Sequence, residues 1–370
     1  MVAGLLYWIV LALALGAQSG QANLTDSPAA APRQDAWKVI GPGGGGAQFL
    51  PTVSPHDPRH VLVSCDMTGA YISHDGGNSW RMFNLRGRVR FFSFDPADPE
   101  TIYAATIGLW RSVDGGKTWS LIFPEPGTVE RVEMPDDHAD ARITIGDGRS
   151  PMMTALAVDP SDSRILYAAF SETGEVSLRI SSDRGVTWRR EAPLAGGGRK
   201  ILVDPGSPAG NRTLYVLGRN SVAVRENGQW SQGSHPPGID TLADLDGGFP
   251  GGGRRPVLYG VASSQRTGGD SLYVSIDGGK SWQRSPIIGE VQNESQPRLS
   301  AVAACLTRPD VAYVSYSRLY LDPARREAFF GVARTTDHGQ SWKLVWKESR
   351  TPAPNLHDAW ITDRFGPGWG

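Results

Sequence analysis

One phrase of eight residues constrains this chain more than any other feature, because it occurs five times. It reads "SHDGGNSW" at 73–80, "SVDGGKTW" at 112–119, "SSDRGVTW" at 181–188, "SIDGGKSW" at 275–282 and "TTDHGQSW" at 335–342. A second phrase recurs between these boxes: an apolar run, an Asp-Pro turn or a variant of it, and another apolar run. "FFSFDPADPETIYAAT" (91–106) and "LAVDPSDSRILYAAF" (156–170) are clear copies. Variants lie at 51–65, 200–218 and 302–316, and "VAVRENGQW" (222–230) keeps the Trp of a box that has otherwise decayed. Each unit predicts four short strands, A to D, with the Asp-Pro turn joining A to B and the box joining C to D. Four strands in roughly 40–50 residues is the period of a β-propeller blade.

The expected fold is therefore all-β: a propeller of four-stranded antiparallel blades with six recognisable repeats. Residues 37–370 have room for about seven blades at that period. The final "ITDRFGPGWG" stands where a further blade would begin. Either residues 37–50 help to complete the ring, or the chain is the N-terminal part of a longer, seven-bladed propeller; the second is the expectation.

The box itself reads as a fold device. Asp75, Asp114, Asp183, Asp277 and Asp337 can accept hydrogen bonds from backbone N–H groups further round each turn. Gly fits the position that needs positive φ. Trp80, Trp119, Trp188, Trp282 and Trp342 can carry apolar area into the packing between neighbouring sheets. A catalytic residue is needed once, so five copies mark structure.

Charge is nearly balanced, 37 basic against 38 acidic residues. That gives no footprint for nucleic acid and no polybasic membrane patch. Cys65 and Cys305 are the only cysteines. They imply no disulfide framework and read as two buried free thiols, with a single bridge as the alternative. No cofactor or metal is expected. "GGFPGGGRRP" (247–256) lacks the strand-to-helix setting of a phosphate loop, and Asp136, Asp137 and Asp140 lack calcium-loop spacing.

The start has a different character. "LLYWIVLALALGA" followed by "QSGQA" reads as a signal peptide over 1–22, cleaved after Ala22. Because "MVAG" carries no Lys or Arg, a single N-terminal membrane anchor is the other reading. Residues 23–36 have the composition of a disordered Ala/Pro-rich lead-in, and folded structure is expected from Trp37 onward. The mature protein is then secreted or periplasmic.

The five boxes resemble the Asp boxes of the BNR-repeat superfamily. Its members include sialidases, sortilin-type receptors, photosystem assembly factors and the xyloglucan-cleaving glycoside hydrolases of family 74. "SCDMTGAY" (64–71) is similar to the Thr-Asp-Ile-Gly-Gly-Ala-Tyr segment of family 74, whose Asp is the catalytic base. The matching residues are Asp66, Gly69, Ala70 and Tyr71; Met67 and Thr68 depart from the pattern. The Gly-rich "IGPGGGGAQFLPTVSPHDP" also looks like that family's opening. The resemblance implies an N-terminal propeller with Asp66 as general base of an inverting hydrolase. Its general acid would come from a second propeller. The plainer reading of Asp66 is a cap on the B–C turn beside Gly69.

In an antiparallel meander the A–B turns and the boxes share one face, so chemistry belongs on the opposite face with the B–C loops and D–A connections. Candidates for sugar contact there are Trp110 in the second B–C connection and Arg318 and Tyr320 in a long loop over 317–330. Asp322 and Arg325 share that loop. Glu172 and Glu175 could supply a carboxylate but read as surface charge, and the long connection 124–152 would wall a groove. His357, Asp358 and Asp363 receive no role. The function expected is a glycoside hydrolase-like propeller acting on a polysaccharide. The alternative is a non-catalytic platform that binds a glycan, peptide or assembly partner. A sialidase would need a Phe-Arg-Ile-Pro-type segment, which does not occur.

Overall fold

The computed structural model describes residues 48–347 apart from 67–68, 134–141, 147, 150, 220, 235, 240, 263–269, 289–296 and 321–327. The signal-peptide, lead-in and C-terminal segments named above lie outside the described residues, as do Asp136, Asp137, Asp140, Asp322 and Arg325.

Alternating apolar runs broken by Asp-Pro and box turns give six four-stranded antiparallel blades, each with its strands in chain order. Blade one comprises Gln48–Val53, Val61–Cys65, Gly69–Ser73 and Arg81–Phe83. Blade two comprises Phe91–Phe94, Ile102–Ala105, Leu109–Ser112 and Ser120–Phe123. Blade three is Met152–Asp159, Asp162–Glu172, Glu175–Ser181 and Arg189–Pro193. Blade four is Lys200–Val203, Leu214–Leu217, Val222–Glu226 and Gln229–Gln232. Blade five runs Leu242–Gly248, Val257–Ala262, Ser271–Ser275 and Gln283–Ser285, and blade six Arg298–Ala304, Ala312–Tyr320, Ala328–Thr335 and Lys343–Lys347. Helix is limited to two 3-10 turns among the described residues.

All five boxes have one geometry. In the first, Asp75 Oδ1 accepts from the Ser79 N–H at 2.8 Å, and Oδ2 accepts from the Ser79 hydroxyl at 2.6 Å. The Ser73 hydroxyl donates to Asp75 Oδ1 and accepts from the Gly77 N–H, each at 2.8 Å. The same contacts recur at Asp114, Asp183, Asp277 and Asp337. Each carboxylate thus collects donors that the tight turn would otherwise leave unpaired.

The two glycines of the box do different work. The first position has positive φ in every box, yet Arg184 (φ 62°) and His338 (φ 58°) occupy it in the third and fifth. The second position is Gly in all five. A Cβ on Gly116 would lie 2.5 Å from Ile72 Cδ1 of blade one, and one on Gly339 would lie 2.7 Å from Val274 Cγ2 of blade five. Close approach of neighbouring blades, as well as φ, excludes a side chain there. The decayed box is replaced by an Asn227-Gly228 turn with φ of 51° and 76°, the two-residue hairpin that Asn-Gly favours.

The core lies between blades. Five apolar clusters join one to two, two to three, three to four, four to five and five to six. The box Trp of the later blade packs on four of these seams: Trp119, Trp188, Trp282 and Trp342. Trp230 does so on the fifth. Trp119 stacks on Phe83 of blade one with centroids 5.3 Å apart and planes within 7°. Among the described residues no such cluster joins blade six to blade one. Between blades three and four, buried Asp159 is paired with buried Arg212, Oδ2 to Nε at 2.7 Å and Oδ1 to Nη2 at 2.9 Å.

Several expectations are corrected. Both cysteines are free as expected, but Cys305 is exposed; only Cys65 is buried. Cys305 follows the inner strand of blade six, Arg298–Ala304, at the turn to Ala312–Tyr320. Arg318 and Tyr320 lie on that second strand, which extends further than turn-rich composition suggested. Residues 249–256, set aside as a mere Gly-rich stretch, are the A–B turn of blade five, with Phe249-Pro250 in place of Asp-Pro. The described residues of the connection after blade two form a 3-10 turn at Pro126–Thr128 and a three-stranded sheet of Val129–Glu133, Arg142–Ile145 and Gly148–Arg149.

Candidate active face

The two faces of the propeller are chemically distinct. On one, every box is tied to the A–B turn of its own blade, or in blade three to the start of the second strand, by a backbone bond from the residue after the Asp. These bonds are Gly76 to Arg59, Gly115 to Glu100, Arg184 to Arg164, Gly278 to Pro256 and His338 to Asp310, at 2.8–3.3 Å. The turn aspartates Asp95, Asp159 and Asp204 also cap their own turns there. These bonds hold the turns of that face together, although Asp95 Oδ2 is buried without a hydrogen-bond partner among the described residues.

Asp66 lies on the other face, in the turn between Val61–Cys65 and Gly69–Ser73. It is half-buried. Among the described residues its carboxylate has one long side-chain contact, from the Cys65 thiol to Oδ1 at 3.9 Å. Gly69, which closes the turn, has φ of 99°, and a Cβ there would sit 2.6 Å from the Phe83 carbonyl oxygen. The strand returning from Asp66 is thereby pressed against the outer strand of the blade, which fixes where the carboxylate emerges.

The other sequence candidates divide. Trp110 is not in a B–C connection: it lies on Leu109–Ser112 and packs into the seam between blades one and two. Its indole N–H donates to Thr106 Oγ1 at 2.9 Å. An aromatic on a strand beside an apolar seam is drawn into the core, and that is where Trp110 goes. Arg318 is half-buried on its strand, opposite Arg298, and away from blade one in chain order. Tyr320 ends the same strand. Glu172 pairs with Arg179, and Glu175 with Arg190 at 3.4 Å, as surface charges do. Among the described residues no group of three or more His, Cys, Asp or Glu is placed to hold a metal ion. A cavity of about 350 Å³ lies elsewhere, between the outer strand of blade five and the box of blade six, lined by Ile276, Gln283, Pro286 and His338. It holds no carboxylate and stands apart from Asp66.

Six four-stranded blades and five Asp-box turns define a β-propeller with Asp-box repeats. The BNR/Asp-box repeat model matches residues 110–121 and 273–284. The chain is similar to a xyloglucanase of a Paenibacillus species, 28% identical over 307 residues, which is 76% of this chain and 25% of that protein. It is also similar to the xyloglucanase Xgh74A of Acetivibrio thermocellus, 25% identical over 328 residues, 82% of this chain and 33% of the relative. The chain therefore spans a quarter to a third of the length of these curated relatives. Among solved structures, an ancestral GH74 enzyme superposes with a TM-score of 0.55 at 18% identity, covering 85% of this chain and 40% of that one. At that identity the likeness concerns the fold.

Proposed function

We propose that the protein is an exported, family 74-like glycoside hydrolase, or the N-terminal propeller of one, acting on a polysaccharide by an inverting two-carboxylate mechanism. The observation that carries this reading is Asp66: a half-buried carboxylate on the face opposite the structural turns, between Val61–Cys65 and Gly69–Ser73. Every box aspartate is engaged by several donors, so Asp66 stands apart from them. Its place in "SCDMTGAY" and the similarity to xyloglucanases support the same reading.

In this mechanism Asp66 takes a proton from a water as that water attacks the anomeric carbon. A carboxylic acid about 6.5–9.5 Å away, on the other side of the sugar, protonates the leaving oxygen. That acid belongs to a second propeller of the longer protein, consistent with the partial span of the relatives. A seventh blade from the same protein completes the ring between blades six and one, and residues 1–22 direct export. The test is hydrolysis by the full-length protein of a β-glucan panel that includes xyloglucan. Reducing ends should appear with inverted anomeric configuration by proton NMR. No release from any glucan would leave the non-catalytic binding platform as the better account.

A further inference from the structure

The connection between blades one and two, residues 84–90, lies on the Asp66 face and is gripped from both blades. Its own backbone is fixed locally. Asn84 Oδ1 accepts the Arg86 N–H at 2.6 Å, and Arg86 has φ of 60°. Leu85 and Val89 are buried in the apolar cluster of that seam. Arg90 N–H then bonds Ala105 O at 2.7 Å, starting the inner ladder of blade two.

On the side of blade one, the stretch that carries Asp66 rests on this connection at both ends. Ser64, two residues before Asp66 and fully buried, donates its hydroxyl hydrogen to Val89 O at 2.9 Å. Gly69 lies so close to the start of the connection that a Cβ there would be 2.6 Å from Phe83 O and 3.2 Å from Asn84 Cα. On the side of blade two the grip is Thr106, which is buried and follows Ile102–Ala105 as Asp66 follows Val61–Cys65. Its hydroxyl donates to Leu85 O at 3.1 Å and accepts from the Trp110 indole N–H at 2.9 Å. An indole N–H can only donate and a carbonyl only accept, so both bonds have a fixed direction, and bonds linked in this way reinforce each other.

We infer that Ser64 and Thr106, the latter backed by Trp110, are positioning residues for Asp66. Acting through 84–90, they fix where the carboxylate stands relative to the attacking water. This rests on the catalytic reading of Asp66 above and extends it to side chains that touch no substrate. Misplacing a reacting group by about 1 Å can cost on the order of 10²-fold in rate, so a loosened connection is read in kcat rather than in KM. Trp110 then stands behind the carboxylate, and not under a sugar ring.

The experiment is steady-state hydrolysis of xyloglucan by the full-length protein, with a matched control from a distant seam. Between blades five and six, Ser285 Oγ accepts from the Trp342 indole at 2.9 Å and donates to Gly339 O at 2.5 Å, the same kind of relay on the box face. Thr106→Val and Ser64→Ala should each lower kcat about tenfold, with KM within about twofold of wild type. Thr106→Ser keeps the hydroxyl and should restore kcat. Trp110→Phe keeps a ring, loses only the N–H, and should lower kcat less while leaving KM alone; it decides by itself should Thr106→Val not fold. Ser285→Ala should lower the melting temperature as Thr106→Val does, with kcat unchanged. Wild-type kcat in Thr106→Val, no rescue by Thr106→Ser, an equal loss of kcat in Ser285→Ala, or a rise in KM alone in Trp110→Phe overturns the inference. If these variants are indifferent while Asp66→Asn is inactive, the inference fails and the catalytic reading stands. A wild type that hydrolyses no glucan, or an Asp66→Asn that keeps wild-type turnover, ends the catalytic reading and takes the inference with it.

Discussion

At the residue scale, the five box tryptophans form a natural comparison set. Both Trp119 and Trp80 are half-buried, but Trp119 is stacked on Phe83 in the seam between blades one and two, whereas Trp80, in the same place in blade one, joins no apolar cluster among the described residues. Trp119→Ala should cost about 2–3 kcal/mol, below the full range for a buried aromatic because the ring is half-buried, and Trp80→Ala clearly less. Urea denaturation at unchanged m-value gives both numbers, and equal losses would contradict the packing account.

A second residue-scale test uses acid. The buried His60 ring lies 4.4 Å from His74 and edge-on to Phe94 at 5.2 Å. Burial, and then the His74 charge, push its pKa down to about 4 from 6.5, with Asp57 opposing. The unfolded chain protonates His60 first, so its contribution to stability is complete above pH 6.5 and is lost as pH falls toward 4. Hydrogen bonds from the Ser79 and Ser341 hydroxyls and N–H groups hold Asp75 and Asp337 at about 2, so their contribution is lost only between about 3.8 and 2. The melting temperature should therefore fall in two stages. His60→Leu should flatten the first stage and leave the second; an unchanged slope between pH 6.5 and 4 would refute the assignment.

At the scale of elements, the seam between blades three and four depends on the Asp159–Arg212 pair. Arg212→Ala leaves a buried carboxylate without its cation and should destabilise by about 3–5 kcal/mol, whereas replacing both partners by apolar residues should recover much of the loss. A single-variant loss below about 1 kcal/mol, measured by denaturant titration, would mean that water already reaches the pair. The same scale shows what could be read from sequence. Blades with an intact Asp-Pro turn and box were legible because each motif carries its own hydrogen-bond logic, as at Asp95 and Asp114. The inner strand of blade five was not, because Phe249-Pro250 replaces the turn Asp. Trp110 and Arg318 were misplaced for a related reason: register decides whether a residue near a loop stays on the strand. At Gly116 and Gly339 the glycine has a further cause outside the motif, the neighbouring blade. Asp66 could be located from its local match, but its half-buried place on the face opposite the boxes required the structure.

At the scale of the whole molecule, the separation of faces is the organising fact. One face is closed by five box turns bonded to the A–B turns or the start of the second strand; the other carries Asp66. The ends of the blade series are distinct as well. Phe49, Leu50 and Val53 on blade one and Tyr313, Val345 and Trp346 on blade six are exposed, while the interior seams are packed. The most direct test of the account is the turnover of Asp66→Asn in the full-length protein, measured with glycan affinity on the same preparation. The amide keeps the shape of the carboxylate but cannot take a proton from water. The account predicts a fall in kcat of about 10²–10⁴-fold with glycan affinity retained and an unchanged melting temperature. Wild-type turnover in that variant, or a loss of activity that only follows a loss of folding, would contradict it and return Asp66 to the role of a turn cap.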